Sequence, residues 1–153
     1  MDKVEVFFRG AFGSGSEAVA SPTDLEIIRA IIQRAGGQMD HAQDETQSER
    51  EKRYTTTAIH EQDYREMQRS EVGIFVINDH DTGIGGQISD MLSMGKPVLC
   101  LVGHWAPKIP PYIAGKGGSR HCPTKLVCAQ YHDLLDDEKT IASFLAEHKK
   151  HRH

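Results

Sequence analysis

Gly73-Ile74-Phe75-Val76-Ile77-Asn78-Asp79-His80-Asp81-Thr82-Gly83-Ile84-Gly85-Gly86-Gln87-Ile88, followed after Gly95-Lys96-Pro97 by Val98-Leu99-Cys100-Leu101-Val102, decides the fold. Gly73–Ile77 and Val98–Val102 are short, continuous apolar runs rich in β-branched residues. Such runs suit strands covered on both faces, as in a parallel sheet. Between them Asn78–Gly83 reads as a loop, Gly85–Met94 as a short helix opened by glycines, and Gly95-Lys96-Pro97 as its stop. Strand, helix and strand within about thirty residues make one parallel crossover unit.

The same alternation continues outward. Val4–Phe8 predicts a first strand and Gly10–Ser16 a glycine-rich turn. Ser21-Pro22-Thr23-Asp24 opens a helix with a capping serine and a first-turn proline. Leu25, Ile28, Ile31 and Ile32 share one face of that helix, and Gly36-Gly37 stops it. Gln38–Ala42 is expected to form a short second strand. Gln43–Arg53 is polar, either loop or solvated helix. Thr57–Ser70 predicts a helix with Ile59, Tyr64 and Met67 inward. Trp105–Ser119, rich in Pro and Gly, reads as loop with at most a short helix. Leu126–Ala129 gives a fifth strand, and Glu138–His148 a last helix with Ile141, Phe144 and Leu145 inward. The expectation is a flavodoxin-like or Rossmann-like three-layer α/β fold with a five-stranded, mostly parallel sheet. One domain would span 1–149, with a short basic tail over 150–153.

Of 153 residues, 38% are hydrophobic, and the net charge is −4. A negative chain is a poor match for nucleic-acid polymers or anionic membranes, which are bound through a positive field. The longest apolar run, Val98–Val102, is too short to cross a bilayer. Met1-Asp2-Lys3 leads straight into Val4–Phe8 with no secretory pattern, and three cysteines without CxxC spacing do not suggest a disulfide framework. An intracellular protein, cytoplasmic or nuclear, is expected.

Ligands of open parallel sheets sit beyond the strand carboxyl ends. That rule points to Gly10–Ser16, His41, Asp79–Gln87 and Gly103–Arg120. Gly10, Gly13 and Gly15 have neither the dinucleotide-fingerprint nor the P-loop spacing, which leaves a tight turn or a ligand-facing backbone as alternatives. Gly83-Ile84-Gly85-Gly86-Gln87 at a helix start either favours an anion or polar ligand or is a flexible turn with a cap. In His60-Glu61-Gln62-Asp63 at most His60 and Asp63 share a face. Asp63 is a candidate general acid/base; the alternative is solvated surface. His121-Cys122…Cys128…His132 lacks zinc spacing, Leu126-Val127-Cys128 looks like strand core, and Cys100 reads as packing. No metal or cofactor is expected. Trp105 and Tyr112 either stack on a base or cover the core edge. The cationic tail His148–His153 reads as frayed and solvated.

In order along the chain, Ile59-His60-Glu61-Gln62-Asp63, Gly83-Ile84-Gly85-Gly86-Gln87-Ile88, Lys96-Pro97-Val98-Leu99-Cys100-Leu101 and Gly118-Ser119-Arg120 resemble the nucleoside 2-deoxyribosyltransferase family. The similarity is closest to the 2′-deoxynucleoside 5′-phosphate N-hydrolase branch and extends from about Val4 to Tyr131. The resemblance implies a flavodoxin-like domain, a homodimer, and cleavage of the N-glycosidic bond of a nucleoside or nucleotide. It implies a nucleophilic carboxylate on a Gly-x-Gly-x-Glu motif. A second carboxylate, at Asp63, assists the leaving base and orients the nucleophile, as in retaining glycoside cleavage. It further assigns ligand contacts to Gly10, Phe12, Gly13, His41, Asp81, Gly83, Gly85 and Ser119, the serine reaching a neighbouring subunit's ligand.

The sequence departs from that pattern where it matters most. The nucleophile position is Gln87, a neutral carboxamide, and its loss as a nucleophile corresponds to about 4 kcal/mol of barrier, a thousandfold in rate. The family's supporting helix tyrosine aligns with Leu25, an arginine of its first loop with Gly13, and a phosphate-binding serine with Asp81. Four readings follow: a nucleoside-binding pseudoenzyme; an enzyme in which Asp63 activates water while Gln87 positions the sugar; an engineered Glu-to-Gln exchange; and a non-enzymatic interaction protein. The co-occurring differences at Leu25 and Gly13 weigh against engineering.

Overall fold

The structure is a computed structural model, and it describes residues 3–10, 22–39, 47–77, 82–103, 111–131 and 133–150. Five strands form one all-parallel sheet: β1 (Val4–Gly10), β2 (Gly37–Met39), β3 (Val72–Val76), β4 (Val98–Val102) and β5 (Leu126–Gln130). Their order is β2-β1-β3-β4-β5. This is the flavodoxin-like order, in which the strand sequence proceeds one way from β1 to β2 and the other way from β3 on, giving a switch point between β1 and β3. Among the described residues, six α-helices connect the strands or follow them: α1 (Pro22–Arg34), α2 (Gln47–Arg53), α3 (Thr56–Arg69), α4 (Thr82–Ser93), the four-residue α5 (Pro111–Ala114) and α6 (Leu134–Lys150). No described helix is long and apolar enough to cross a membrane.

Strand alternation sorts the apolar residues into two cores. Val4, Val6, Phe8, Ile74, Val76, Leu99 and Leu101 meet Leu25, Ile28, Ile31 and Ile32 of α1 and Ile141, Phe144 and Leu145 of α6. Phe7, Phe75, Val98, Cys100 and Val102 meet Met67 of α3 and Ile84, Ile88, Met91 and Leu92 of α4. Both faces of β3 and β4 are buried along their whole length, as their continuous apolar runs require. β5, at the sheet edge, is only half-covered. The expectation that Cys128 lies in strand core is therefore corrected: it is exposed, on a strand at the edge of the sheet.

Helix ends follow local chemistry. Thr55 caps α3, its hydroxyl accepting from the Ala58 N–H at 3.1 Å. Gly95, at φ +77°, ends α4 in a left-handed turn. Its N–H donates to Leu92 O, and the Lys96 N–H donates to Met91 O, the double bond of a Schellman stop. That turn sends Lys96 across to the end of α3, where Nζ donates to Met67 O at 2.7 Å and to Gln68 O and Ser70 O at 2.5 Å. A cation on three terminal carbonyls complements the helix dipole and ties α3 to α4. Burial holds this ammonium below the ordinary lysine pKa, against the opposing pull of Glu71.

Four expectations change. The second strand is Gly37–Met39, starting one residue earlier; 40–42 lie outside the described residues. Gln47–Arg53 is helical, and Arg50 in it is buried, so this helix is not simply solvated. The α4 helix begins at Thr82, which puts Gly83 and Gly85 within its first turns. Finally, α6 runs from Leu134 to Lys150, longer at both ends than periodicity suggests.

Asp137, in the first turn of α6, is 1% exposed, and its Oδ2 has no hydrogen-bond partner. Burial pushes its pKa up to about 7, with Asp136 adding to the shift. Since the folded value exceeds the unfolded one, ionisation opposes folding. The cost grows as pH rises from about 4 and is complete above about 7. The advantage of Asp137→Asn over the parent is expected to be larger near pH 8 than near pH 5, by on the order of 2 kcal/mol. Paired urea titrations at the two pH values check this; equal gains at both would show that Asp137 does not titrate between them.

Candidate functional site

At the C-terminal end of β1, next to the switch point, Arg9 follows Phe7 on the α3/α4 side of the sheet. Its guanidinium lies 4.1 Å from the Phe7 ring centroid. Nη1 donates to Phe8 O at 2.9 Å, and Nη2 donates to Glu66 Oε2 at 2.7 Å and Asp63 Oδ1 at 3.1 Å. Asp63 and Glu66 stand three residues apart on α3, so both project toward the strand. Both are buried, at 9% and 6% exposure. A second guanidinium arrives from α2: Arg50 Nη2 donates to Asp63 Oδ1 at 3.0 Å and Gln62 Oε1 at 3.2 Å. From α4, Gln87 Nε2 donates to Asp63 Oδ2 at 3.2 Å.

Strand β1 and three helices thus converge on one carboxylate. Two cations and two anions balance in charge, as a buried ionic cluster must to avoid an uncompensated desolvation cost. An ionised carboxylate offers about four acceptor positions. Arg9 and Arg50 take two on Oδ1, and Gln87 takes one on Oδ2.

The structure places Asp63 and Gln87 in direct contact. Gly10 ends β1, and a side chain there would fall 2.9 Å from Leu25 Cδ1, so its bare α-carbon makes room for Leu25. Gly83 is exposed on the first turn of α4, while Gly85 lies half-buried near Ile113. Ser119 follows the 3-10 turn Gly115–Gly118, and its hydrogen bonds are local: its N–H donates to Lys116 O, and its Oγ accepts from the His121 N–H at 3.1 Å. Phe12, Gly13, His41 and Asp81 lie outside the described residues.

His60 is exposed, with its ring 5.8 Å from that of Tyr64, while the helix turns Ile59, Asp63, Glu66 and Met67 to the sheet. One surface expectation is corrected. Tyr112 covers no core edge: it is 81% exposed, with Lys116 Nζ over its ring at 4.9 Å.

Arg9, Arg50 and Glu66 escaped the sequence reading. The available signal was Arg9 itself, a cation at the end of a strand otherwise apolar from Val6 to Phe8. Such a residue calls for buried acceptors, and Glu66 follows Asp63 at helical spacing.

Neither a protein-family model nor a curated relative matches the sequence. The fold is similar to that of a solved 2-deoxyribosyltransferase from the psychrotolerant bacterium Bacillus psychrosaccharolyticus, at a TM-score of 0.54 and 14% identity, over 90% of this chain and 95% of that one.

Arg9→Met keeps the apolar stem and leaves two buried carboxylates without this cation. It is expected to cost about 2–4 kcal/mol, part of which Glu66→Gln restores in the double variant. Urea midpoints of the four proteins measure the coupling; a loss below about 0.5 kcal/mol for Arg9→Met would show that the guanidinium does not organise the cluster.

Proposed function

We propose that the chain binds a nucleoside or nucleotide at the strand carboxyl ends, in a nucleoside 2-deoxyribosyltransferase-like site whose N-glycosidic cleavage is lost or much reduced. The observation that carries this reading is the contact between Gln87 Nε2 and Asp63 Oδ2 at 3.2 Å. In retaining glycoside cleavage, one carboxylate attacks the anomeric carbon while a second group manages the proton. Here a neutral carboxamide holds the first position. Its nitrogen is turned to the second carboxylate, which already accepts from Arg9 and Arg50. Delivering a proton to a leaving base through Asp63 means disrupting this set of bonds.

The same arrangement suits binding. One acceptor position on Asp63 Oδ2 and the Gln87 carbonyl oxygen are the polar groups through which the site takes sugar hydroxyl donors. The fold supports the placement, because the cluster lies next to the β1–β3 switch point where ligands of this strand order bind. The resemblance in the Asp63 and Gly83–Ile88 segments points to a nucleoside as the small-molecule partner.

Thermal unfolding with deoxynucleosides, their 5′-monophosphates and deoxyribose phosphate tests binding. A true ligand at a hundred times its dissociation constant is expected to add about 2.7 kcal/mol. Chromatographic assay of free base tests the chemistry, with no release expected above the uncatalysed rate. Base release by the parent chain that vanishes in Asp63→Ala would overturn the loss of cleavage. The absence of any stabilisation by these ligands would overturn the binding reading in favour of an interaction protein.

A further inference from the structure

Cys100 and Cys128 are direct partners in the parallel register of β4 and β5. Both point to the α4 side of the sheet: Val98 and Leu126, two residues earlier on each strand, belong to the α3/α4 core. Neighbouring strands lie about 4.8 Å apart, within the roughly 4.4–6.8 Å over which a disulfide spans two α-carbons. The proximity of Cys100 lowers the pKa of the Cys128 thiol against the opposing effect of burial, while Cys128 and burial together raise that of Cys100. Their exposure differs sharply. Cys100 is fully buried under α4, whereas Cys128 is exposed on the edge strand. Cys122, half-buried, bonds instead to Thr124 O at 3.9 Å.

We propose that Cys128 is a hydroperoxide-reactive thiol and that Cys100 resolves it, forming a reversible disulfide across β4 and β5. The Cys128 thiolate attacks one oxygen of a hydroperoxide. The O–O bond breaks, the leaving oxygen takes up a proton as water or an alcohol, and Cys128 becomes a sulfenic acid. The Cys100 sulfur then gives up its proton and attacks the Cys128 sulfur. The S–S bond forms, the S–O bond breaks, and the hydroxyl departs as water with that proton. Overall, two thiols are oxidised and one peroxide is reduced. Exposure admits the oxidant at Cys128, and strand pairing holds the resolving thiol beside it, which is the arrangement of a reversible thiol sensor. The proposal does not rest on the nucleoside reading.

The test exposes the full chain to one equivalent of hydrogen peroxide, alkylates the remaining thiols and maps the peptides by mass spectrometry. The expected product is a Cys100–Cys128 linked peptide that dithiothreitol reverses, with Cys122 still alkylated. Before oxidation, Cys128 is expected to alkylate about tenfold faster than Cys122. Cys100→Ser is expected to abolish the link and leave a sulfenic acid at Cys128 that dimedone traps. Cys128→Ser, at an exposed position where the fold tolerates exchange, is expected to abolish both. Preferential oxidation of Cys122, a bond between two chains, or irreversible oxidation of Cys128 without a link to Cys100 would each overturn the proposal.

Discussion

A guanidinium at the end of a buried strand must find acceptors, and Arg9 draws the candidate site together by finding them. It carries donors only and no acceptor. One donor closes on its own strand at Phe8 O, while the rest of the head is held between the Phe7 ring and two carboxylates of α3. The helix can supply those carboxylates only by turning Asp63 and Glu66 to the sheet along with Ile59 and Met67. The rotation of α3 is therefore set by a charge requirement as much as by apolar burial. At its far end, Lys96 fixes the same helix by its terminal carbonyls and links it to the stop of α4. Between these two anchors, Asp63 and Gln87 are held in hydrogen-bond contact.

This constraint shapes the chemistry open to the site. Both cations that stabilise Asp63 in the core occupy Oδ1, and Gln87 takes one position on Oδ2, so few acceptor positions are left to a proton or a water. A carboxylate intended for proton transfer needs a free face toward its substrate, and α2 delivers Arg50 to Asp63 as well. Preorganisation of this kind serves recognition, where fixed donors and acceptors reduce the ordering cost of binding. Together with a carboxamide at position 87, it is consistent with the proposed site that binds rather than cleaves.

The β5 edge of the sheet follows a different rule: there Cys128 is exposed while its register partner Cys100 is buried in the core shared with α4. The site cluster lies between β1, α3 and α4, whereas the thiol pair joins β4 and β5. The two features belong to different strands of one sheet.

By itself, the sequence determined the layers. Leu25, Ile28, Ile31 and Ile32 recur at helical spacing, and the apolar runs of β3 and β4 report burial on both faces, so the parallel α/β architecture was legible from local periodicity. The ordered resemblance of their segments named Asp63 and Gln87, which the fold brings into hydrogen-bond contact. Only the tertiary structure decided which polar residues turn inward. Glu66 lies 57 residues from its Arg9 partner, and Arg50 sits in a helix whose composition reads as solvated surface. Cys128 shows the same limit in reverse, since an apolar triplet cannot report that its strand lies at an edge. Periodicity reflects the burial that each element needs locally. The pairing of buried charges and the covering of an edge depend on elements far apart in the chain, which only folding brings together.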